Sequence, residues 1–286
     1  MHPARRGALL ILGQALIWGM FPVLPILLGR TISPAVTLCL SALIAAVFMG
    51  LVLPWRGGMK GLWNWRTQRY ILIASVLIGG IYYSLWFFGL RYTSPGNAAL
   101  FGLMEIPYNA LLSHWWWKER LTKRQIGGTL LMVSGALLIL VWNVQSFHLG
   151  DFIILFAAIF PVYGNWCMQR ARERANTEAI MFVRSLWTAL FALILALVVG
   201  ESFHVPTILA SWPFLLLNGA IVLAFSKILW LEGIRFISVT EALSLNTTAV
   251  LWTLLFSFLI LGVAPTWFQL LAIIPMFFGV RMLTKK

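Results

Sequence analysis

The sequence predicts an all-α integral membrane protein of ten transmembrane helices, arranged as two inverted five-helix repeats with both termini in the cytoplasm. Three observations lead there. The chain of 286 residues is 61% hydrophobic and 10% charged. A soluble domain of that length could not hide so much apolar surface, and apolar runs of about 20 residues, enough to span a bilayer, recur from end to end. The stretch 85–135 returns 144 residues later as 229–279. The Lys and Arg residues gather in alternate loops.

The duplication holds its register across two apolar spans, a linker and much of a third. Leu85, Trp86, Gly89, Arg91, Ser94 and Ala98 fall on Leu229, Trp230, Gly233, Arg235, Ser238 and Ala242. Leu111, Ser113, Thr122, Gln125, Met132 and Gly135 fall on Leu255, Ser257, Thr266, Gln269, Met276 and Gly279. Leucine-rich helices match one another by chance at scattered leucines. They do not keep Trp, Arg, Gln and Gly in step, so the match is read as an internal repeat. The division expected is residues 1–145 and 146–286.

In chain order, the spans are expected at 7–28, 34–53, 70–90, 96–115, 124–142, 150–168, 179–199, 213–233, 239–261 and 266–283. Pro22 and Pro25 interrupt the first, Pro107 the fourth, Pro161 the sixth and Pro275 the tenth. Such breaks persist in membrane helices where neighbours or cavity water satisfy the freed carbonyls. With the N-terminus in the cytoplasm, Arg5, Arg6, Arg56, Lys60, Arg66, Arg69, Lys118, Arg120, Lys123 and Arg124 lie inside. So do Arg170, Arg172, Arg174, Arg184, Arg235, Arg281, Lys285 and Lys286, which makes 18 inside. Arg30 and Arg91 alone lie outside, and Lys227 falls within a span. Positive charge concentrates on the cytoplasmic side of membrane proteins, so this bias sets the orientation. Five spans per half is an odd number, and the second copy must therefore be inverted relative to the first. Inverted repeats with a site near the midplane are a recurring plan of secondary transporters.

Several classes are excluded. The net charge of +13 sits in short loops and reports orientation, so no nucleic-acid partner is expected. Cys39 and Cys167 lie in or at the edge of spans, and with four scattered histidines they suggest neither a disulfide framework nor a metal site. There is no phosphate-binding Gly-rich loop and no H-E-x-x-H. No cofactor and no enzymatic activity are expected. The N-terminal apolar run continues past 20 residues without an A-x-A-like cleavage site, and is expected to be retained as a helix. Trp55, Trp63 and Trp65, and Trp115, Trp116 and Trp117, flank basic loops as interface anchors.

The end of the first copy reads Pro107, Trp115–Trp117, then Lys118-Glu119-Arg120-Leu121-Thr122, Gln125-Ile126-Gly127-Gly128 and Gly135. With Gly89-Leu90-Arg91-Tyr92 and Ala98-Ala99 before it, and Trp18-Gly19 in the first span, this resembles the EamA-type repeat of the drug/metabolite transporter superfamily. Phe160-Pro161 is the weaker counterpart of Trp18-Gly19. The second copy departs from the pattern, with Gly262-Val263-Ala264-Pro265-Thr266 in place of the E-R-L-T linker. That loop is placed outside, where Arg is disfavoured. The resemblance implies a secondary active transporter of a small metabolite, an amino acid or other amphipathic or aromatic solute, working by alternating access and in the direction of export. It also implies a bacterial cytoplasmic membrane, and a central cavity to which the fourth and eighth helices contribute. An alternative is a membrane subunit of a lipid-linked carrier flippase, since short relatives of this fold act in pairs.

Ionisable groups deep in a bilayer cost about 2.5–3.5 kcal/mol each, so each needs a compensating role. Glu105 in the fourth span and Lys227 in the eighth are such groups, and their depths differ by ~4–5 Å at 1.5 Å per helical residue. Both are expected to face the cavity, either pairing with each other or clamping a zwitterionic solute; Lys227 could instead snorkel to the surface. A carboxyl in that setting would suit proton coupling. Trp18, Tyr82, Tyr83, Trp86, Asn109, Tyr163 and Asn246 complete the expected site. Gln14, Asn165, Asn218, Thr247 and Thr248 are polar neighbours that could equally be interhelical hydrogen-bond glue. Tyr108, Trp166, Trp230 and Trp252 are further aromatics of the same spans, and His114 is expected at the interface. Gly128 and Gly135 share one face of the fifth span, and Ala272 and Gly279 repeat it in the tenth. Such small-residue faces allow close approach, either between these two helices or between the protomers of a homodimer.

Overall fold

The computed structural model describes residues 3–56, 58–59, 62, 64–116, 122–142, 148–237, 242 and 245–284. Of the residues singled out above, Lys60, Trp63, Trp117, Lys118 to Leu121, Ser238, Lys285 and Lys286 lie outside these. Among the described residues the regular structure is all helical, with no strand. Six helical spans are long and apolar enough to cross a membrane: Pro3–Leu28, Pro34–Trp55, Trp65–Tyr92, Leu149–Arg172, Thr177–Val199 and Trp212–Gly233. Shorter apolar helices cover Ala249–Leu261 and Trp267–Met282. Every backbone amide and carbonyl in a bilayer must be satisfied internally, which is why a chain of this composition is built from helices alone.

Most spans are not single rods. The first is α1 (Pro3–Trp18) and α2 (Val23–Leu28), followed by α3 (Pro34–Val52). The next begins at Trp65, five residues before the expected start, because the Asn64 side chain accepts from the Arg66 amide and caps the helix there. It runs as α4 (Trp65–Ala74), a π-helical segment Ser75–Tyr82 and α5 (Tyr83–Gly89). Then come α6 (Pro95–Gly102), α7 (Glu105–Trp116) and α8 (Lys123–Trp142).

The second half repeats the style. It comprises α9 (Leu149–Ala157), α10 (Phe160–Arg172), α11 (Thr177–Val199) and a short α12 (Val205–Ala210). Next are α13 (Trp212–Leu216), a second π-helical segment Leu217–Phe225 and α14 (Ser226–Gly233). The chain closes with α15 (Ala249–Leu261) and α16 (Trp267–Thr284).

The interruptions keep their backbone bonded by tightening. At the first, Phe21 N–H donates to the Trp18 carbonyl at 2.9 Å, an i→i−3 bond in place of the i→i−4 bond that Pro22 cannot make. The same tightening occurs at Met104 to Phe101, at Ile159 to Phe156 and at Thr248 to Leu245. The carbonyl of Gly19 is taken by the Thr253 hydroxyl at 2.8 Å, a repair supplied by α15. The two π-helical segments and these four breaks stand at matching places in the two halves of the chain.

The largest interhelical contacts are α8 with α16 and α3 with α11. Small residues set the first. A Cβ added at Gly279 would stand 2.7 Å from the Gly128 carbonyl oxygen, and one at Gly135 would meet Met276 at 2.6 Å. The small face read from the sequence is therefore used between these two helices. At one end of the bundle, the Glu201 carboxylate accepts from the Ala35 and Val36 amides at 2.9 and 3.2 Å, capping α3. Beside it lies a cavity of about 340 Å³ lined by Thr31, Ser33, Glu201, His204 and Thr207.

Replacing Gly279 by Leu should overpack the α8–α16 seam and cost about 1–3 kcal/mol. Gly80→Ala, where the nearest atom is an ordinary 3.4 Å away, should leave stability near wild type. Thermal unfolding of both variants in detergent checks the contrast.

Candidate functional site

The interruptions put polar side chains where two helices meet. Glu105 is the first residue of α7, directly after the break at Leu103-Met104. Lys227 is the second residue of α14, directly after the second π-helical segment, as Tyr83 is the first of α5 after the first one. Asn165 of α10 donates from Nδ2 to Glu105 Oε1 at 2.7 Å. Lys227 Nζ lies over the Trp18 ring, 3.5 Å from its centroid, a close cation–π contact.

Behind Trp18 stands an aromatic box. Trp18 stacks on Phe21 with centroids 4.4 Å apart and planes 11° from parallel. Phe21 in turn meets Trp86 at 5.5 Å and Tyr83 at 5.7 Å. Tyr82 touches Tyr83 and Trp86 at 5.3 and 5.4 Å. The indole Nε1 of Trp86 is buried without a hydrogen-bond partner, a donor left unused.

Glu105 and Lys227 form no ion pair within 4 Å among the described residues. Their immediate partners are Asn165 for Glu105 and Trp18 for Lys227. Lys227 does not snorkel; it is half-buried against the indole. Arg184, counted in the sequence only among the cytoplasmic charges, lies within α11 and is 8% exposed. Its place within the expected span 179–199 was the available signal.

The remaining expected residues are placed less centrally. Tyr163 stacks on Trp166 at 5.3 Å and meets Trp116 edge-on at 5.6 Å. Trp166 also meets Tyr70, and Arg170 lies 5.4 Å over it. These rings form a column on α7, α10 and α4 that leads away from Glu105 towards the C-terminal ends of α7 and α10. Asn109 and Asn165 are exposed. Asn246 is half-buried with its Oδ1 unpartnered, and no hydrogen bond or ring contact joins it or Asn109 to the cluster among the described residues. Asn218 bonds Ser41 at 2.9 Å and Thr248 bonds the Leu245 carbonyl, both as glue. Trp252 packs against Gly19 and Phe256.

The far end of the same helices is sealed. Asp151, Asn97 and Gln269 are 1%, 2% and 4% exposed. The Asp151 carboxylate accepts from Asn97 Nδ2 and from the Thr93 hydroxyl. Gln269 Nε2 donates to Asn97 Oδ1 at 2.7 Å and to Ser94 Oγ at 3.0 Å. This network, which the sequence reading did not pick out, ties α6, α9 and α16 together.

The helical bundle thus brings a half-buried carboxylate, an ammonium and an aromatic box together within apolar spans. The chain belongs to the EamA-like transporter family, whose model matches residues 5–141 and again 148–285. It is 25% identical over 211 residues to a protein of Escherichia coli (strain K12) called "Uncharacterized inner membrane transporter YhbE", a match spanning 69% of this chain and 65% of that one. It is 24% identical over 249 residues to "Uncharacterized transporter YyaM" of Bacillus subtilis (strain 168), covering 83% and 80% of the two chains. A solved crystal structure superposes with a TM-score of 0.72 at 17% identity, covering 96% of this chain and 95% of the other, and shares the fold.

Asn165→Asp would set a second carboxylate against Glu105, whereas Asn165→Ala only removes a hydrogen bond worth about 1 kcal/mol. The Asp variant should therefore unfold at the lower temperature of the two at neutral pH. Thermal melts in detergent read this directly.

Proposed function

We propose that the protein is a secondary transporter that moves a small amphipathic or aromatic metabolite, such as an amino acid, across a bacterial cytoplasmic membrane in the direction of export. Ten spans in two inverted repeats, divided near residue 145 and with both termini in the cytoplasm, form the scaffold. The reading rests on one observation above others. Glu105 and Lys227, each just after an interruption of its span, stand with Asn165 of a third helix by the aromatic box of Trp18, Tyr82, Tyr83 and Trp86. Interrupted helices meeting at mid-depth are where secondary transporters hold their solute.

In this reading the exposed side of α7 and α10 that carries Asn109 and Asn165 is the cytoplasmic approach, and the Asp151–Asn97–Gln269 network is the closed outer gate. Alternating access exchanges them, with the breaks at Gly19–Pro22, Leu103-Met104, Ala158-Ile159 and Thr247-Thr248 as hinges. A solute lays its flat body on the aromatic box and its polar head among Glu105, Lys227 and Asn165. Glu105 is faced by Asn165 on α10, Lys227 on α14, and Tyr82 and Tyr83 on the third span. A proton taken up by Glu105 removes its attraction for Lys227 and frees the lysine for the solute, which couples proton movement to transport.

Reconstituted into liposomes and tested with a panel of radiolabelled amino acids and aromatic solutes, the wild type should move a solute faster when a proton gradient is imposed. Glu105→Gln should lose that gradient dependence while keeping solute exchange. A variant with unaltered dependence on the gradient would remove Glu105 from coupling, and a wild type that moves nothing but lipid-linked substrates would favour the flippase subunit instead.

A further inference from the structure

We propose that the cavity beside Glu201, where α3 begins and α11 gives way to α12, binds the primary ammonium of an ethanolamine-type lipid headgroup, with Glu201 as its counter-charge. Such binding requires the membrane fold but not the transporter reading, so either can fail without the other.

At the start of α3 two residues have exchanged roles. Ser33 is the N-cap of that helix, and a serine there ordinarily accepts from the amides two or three residues on. Those amides, of Ala35 and Val36, donate instead to Glu201 Oε2 at 2.9 and 3.2 Å. The Ser33 hydroxyl therefore makes no cap bond. Its Oγ is buried without a hydrogen-bond partner in the wall of a cavity of about 340 Å³. A buried polar atom left over in this way calls for a partner. Glu201, in the turn after α11, is held in place by two backbone amides of another helix, while its Oε1 has no donor among the described residues. No Lys, Arg or His comes within 4 Å of the carboxylate among them, Arg30 beside Thr31 included.

The lining selects the ligand. The hydroxyls of Thr31, Ser33 and Thr207 surround the cavity with the Glu201 carboxylate, and no Lys or Arg is among the described lining residues. One negative charge among hydroxyl oxygens suits a primary ammonium, which has three donors to place. A trimethylammonium has no donor and is recognised by aromatic faces, yet no Phe, Tyr or Trp is among the described lining residues. An anionic headgroup would meet the Glu201 charge with nothing to offset it. The surroundings point to lipid as the source of the ammonium. The cavity lies where spans end, at the start of α3 and the end of α11. Residues next to the lining ones in the chain are apolar and 60–64% exposed: Val199 before Gly200, Val205 after His204 and Leu209 after Ile208. Trp212, two residues beyond α12, is exposed as well and suits the membrane interface. A soluble amine gains nothing from such apolar neighbours, whereas acyl chains lie along them.

Thermal unfolding of the purified full-length protein in detergent is measured with added dioleoylphosphatidylethanolamine, dioleoylphosphatidylcholine or dioleoylphosphatidylglycerol, and with free phosphoethanolamine. The ethanolamine lipid should raise the melting temperature most, and free phosphoethanolamine at the same concentration should leave it within error. Glu201→Gln keeps an oxygen that can accept from Ala35 and Val36, so α3 stays capped. It should weaken binding of the ethanolamine lipid about tenfold, the worth of one charge-assisted hydrogen bond. Ser33→Ala removes a hydroxyl that bonds nothing in the protein. It should melt like wild type without lipid and lose part of the lipid's effect, which keeps the test decisive if the Gln variant folds poorly. Equal stabilisation by the ethanolamine and choline lipids would overturn the proposal, and so would an ethanolamine preference unchanged in both variants. Free phosphoethanolamine as effective as the lipid would overturn lipid as the occupant. Solute transport through the central site is untouched by any of these results.

Discussion

A break in a bilayer-spanning helix strips backbone groups of their partners in a solvent that offers none, and the whole structure is arranged around repairing such breaks. Four spans tighten to i→i−3 bonds where they bend, and two others widen into π-helical segments. The repairs reach across the bundle: the hydroxyl of Thr253 on α15 takes the carbonyl that α1 leaves free at Gly19. Each interruption then delivers something. Trp18 ends α1, Glu105 begins α7, Tyr83 begins α5 and Lys227 is the second residue of α14. The sites of backbone weakness and the sites of chemistry coincide because a bent helix turns side chains inward that a straight one would present to lipid or to a neighbour.

Charge inside the membrane obeys the same economy. Glu105 keeps a short hydrogen bond from Asn165, and Lys227 keeps the face of an indole. None of these partners is a full counter-ion, so the cluster is left responsive to whatever enters it. Asp151 is treated differently. It is almost fully buried and receives hydrogen bonds from Thr93 and Asn97, with Gln269 bonding Asn97 in turn. A network closed on itself holds helices together, whereas an open one binds.

Rigid seams frame the mobile centre. At α8–α16 the backbones approach so closely that Gly279 has no room for a Cβ beside the Gly128 carbonyl. Without a hydrophobic driving force between helices in lipid, such close van der Waals contact is what remains to hold them. The α3–α11 seam plays the matching part in the other pair of helices.

The amino-acid sequence by itself determined the helical membrane class, the family, and the choice of Glu105 and Lys227 as charges needing an explanation. Span composition, basic loops and the 144-residue register are local or periodic properties, and all survive without knowledge of the fold. Tertiary structure decided the rest. It alone paired Asn165 with Glu105 and Trp18 with Lys227, since partners on different helices leave no mark in either helix's own pattern. It chose the α8–α16 seam as a use of the small-residue face. It buried Arg184, which the sequence counted only among the cytoplasmic charges, because which face of a helix is covered is set by packing that hydropathy does not encode. It also exposed the Asp151 network, whose members are 54 and 172 residues apart along the chain and meet only when the bundle closes.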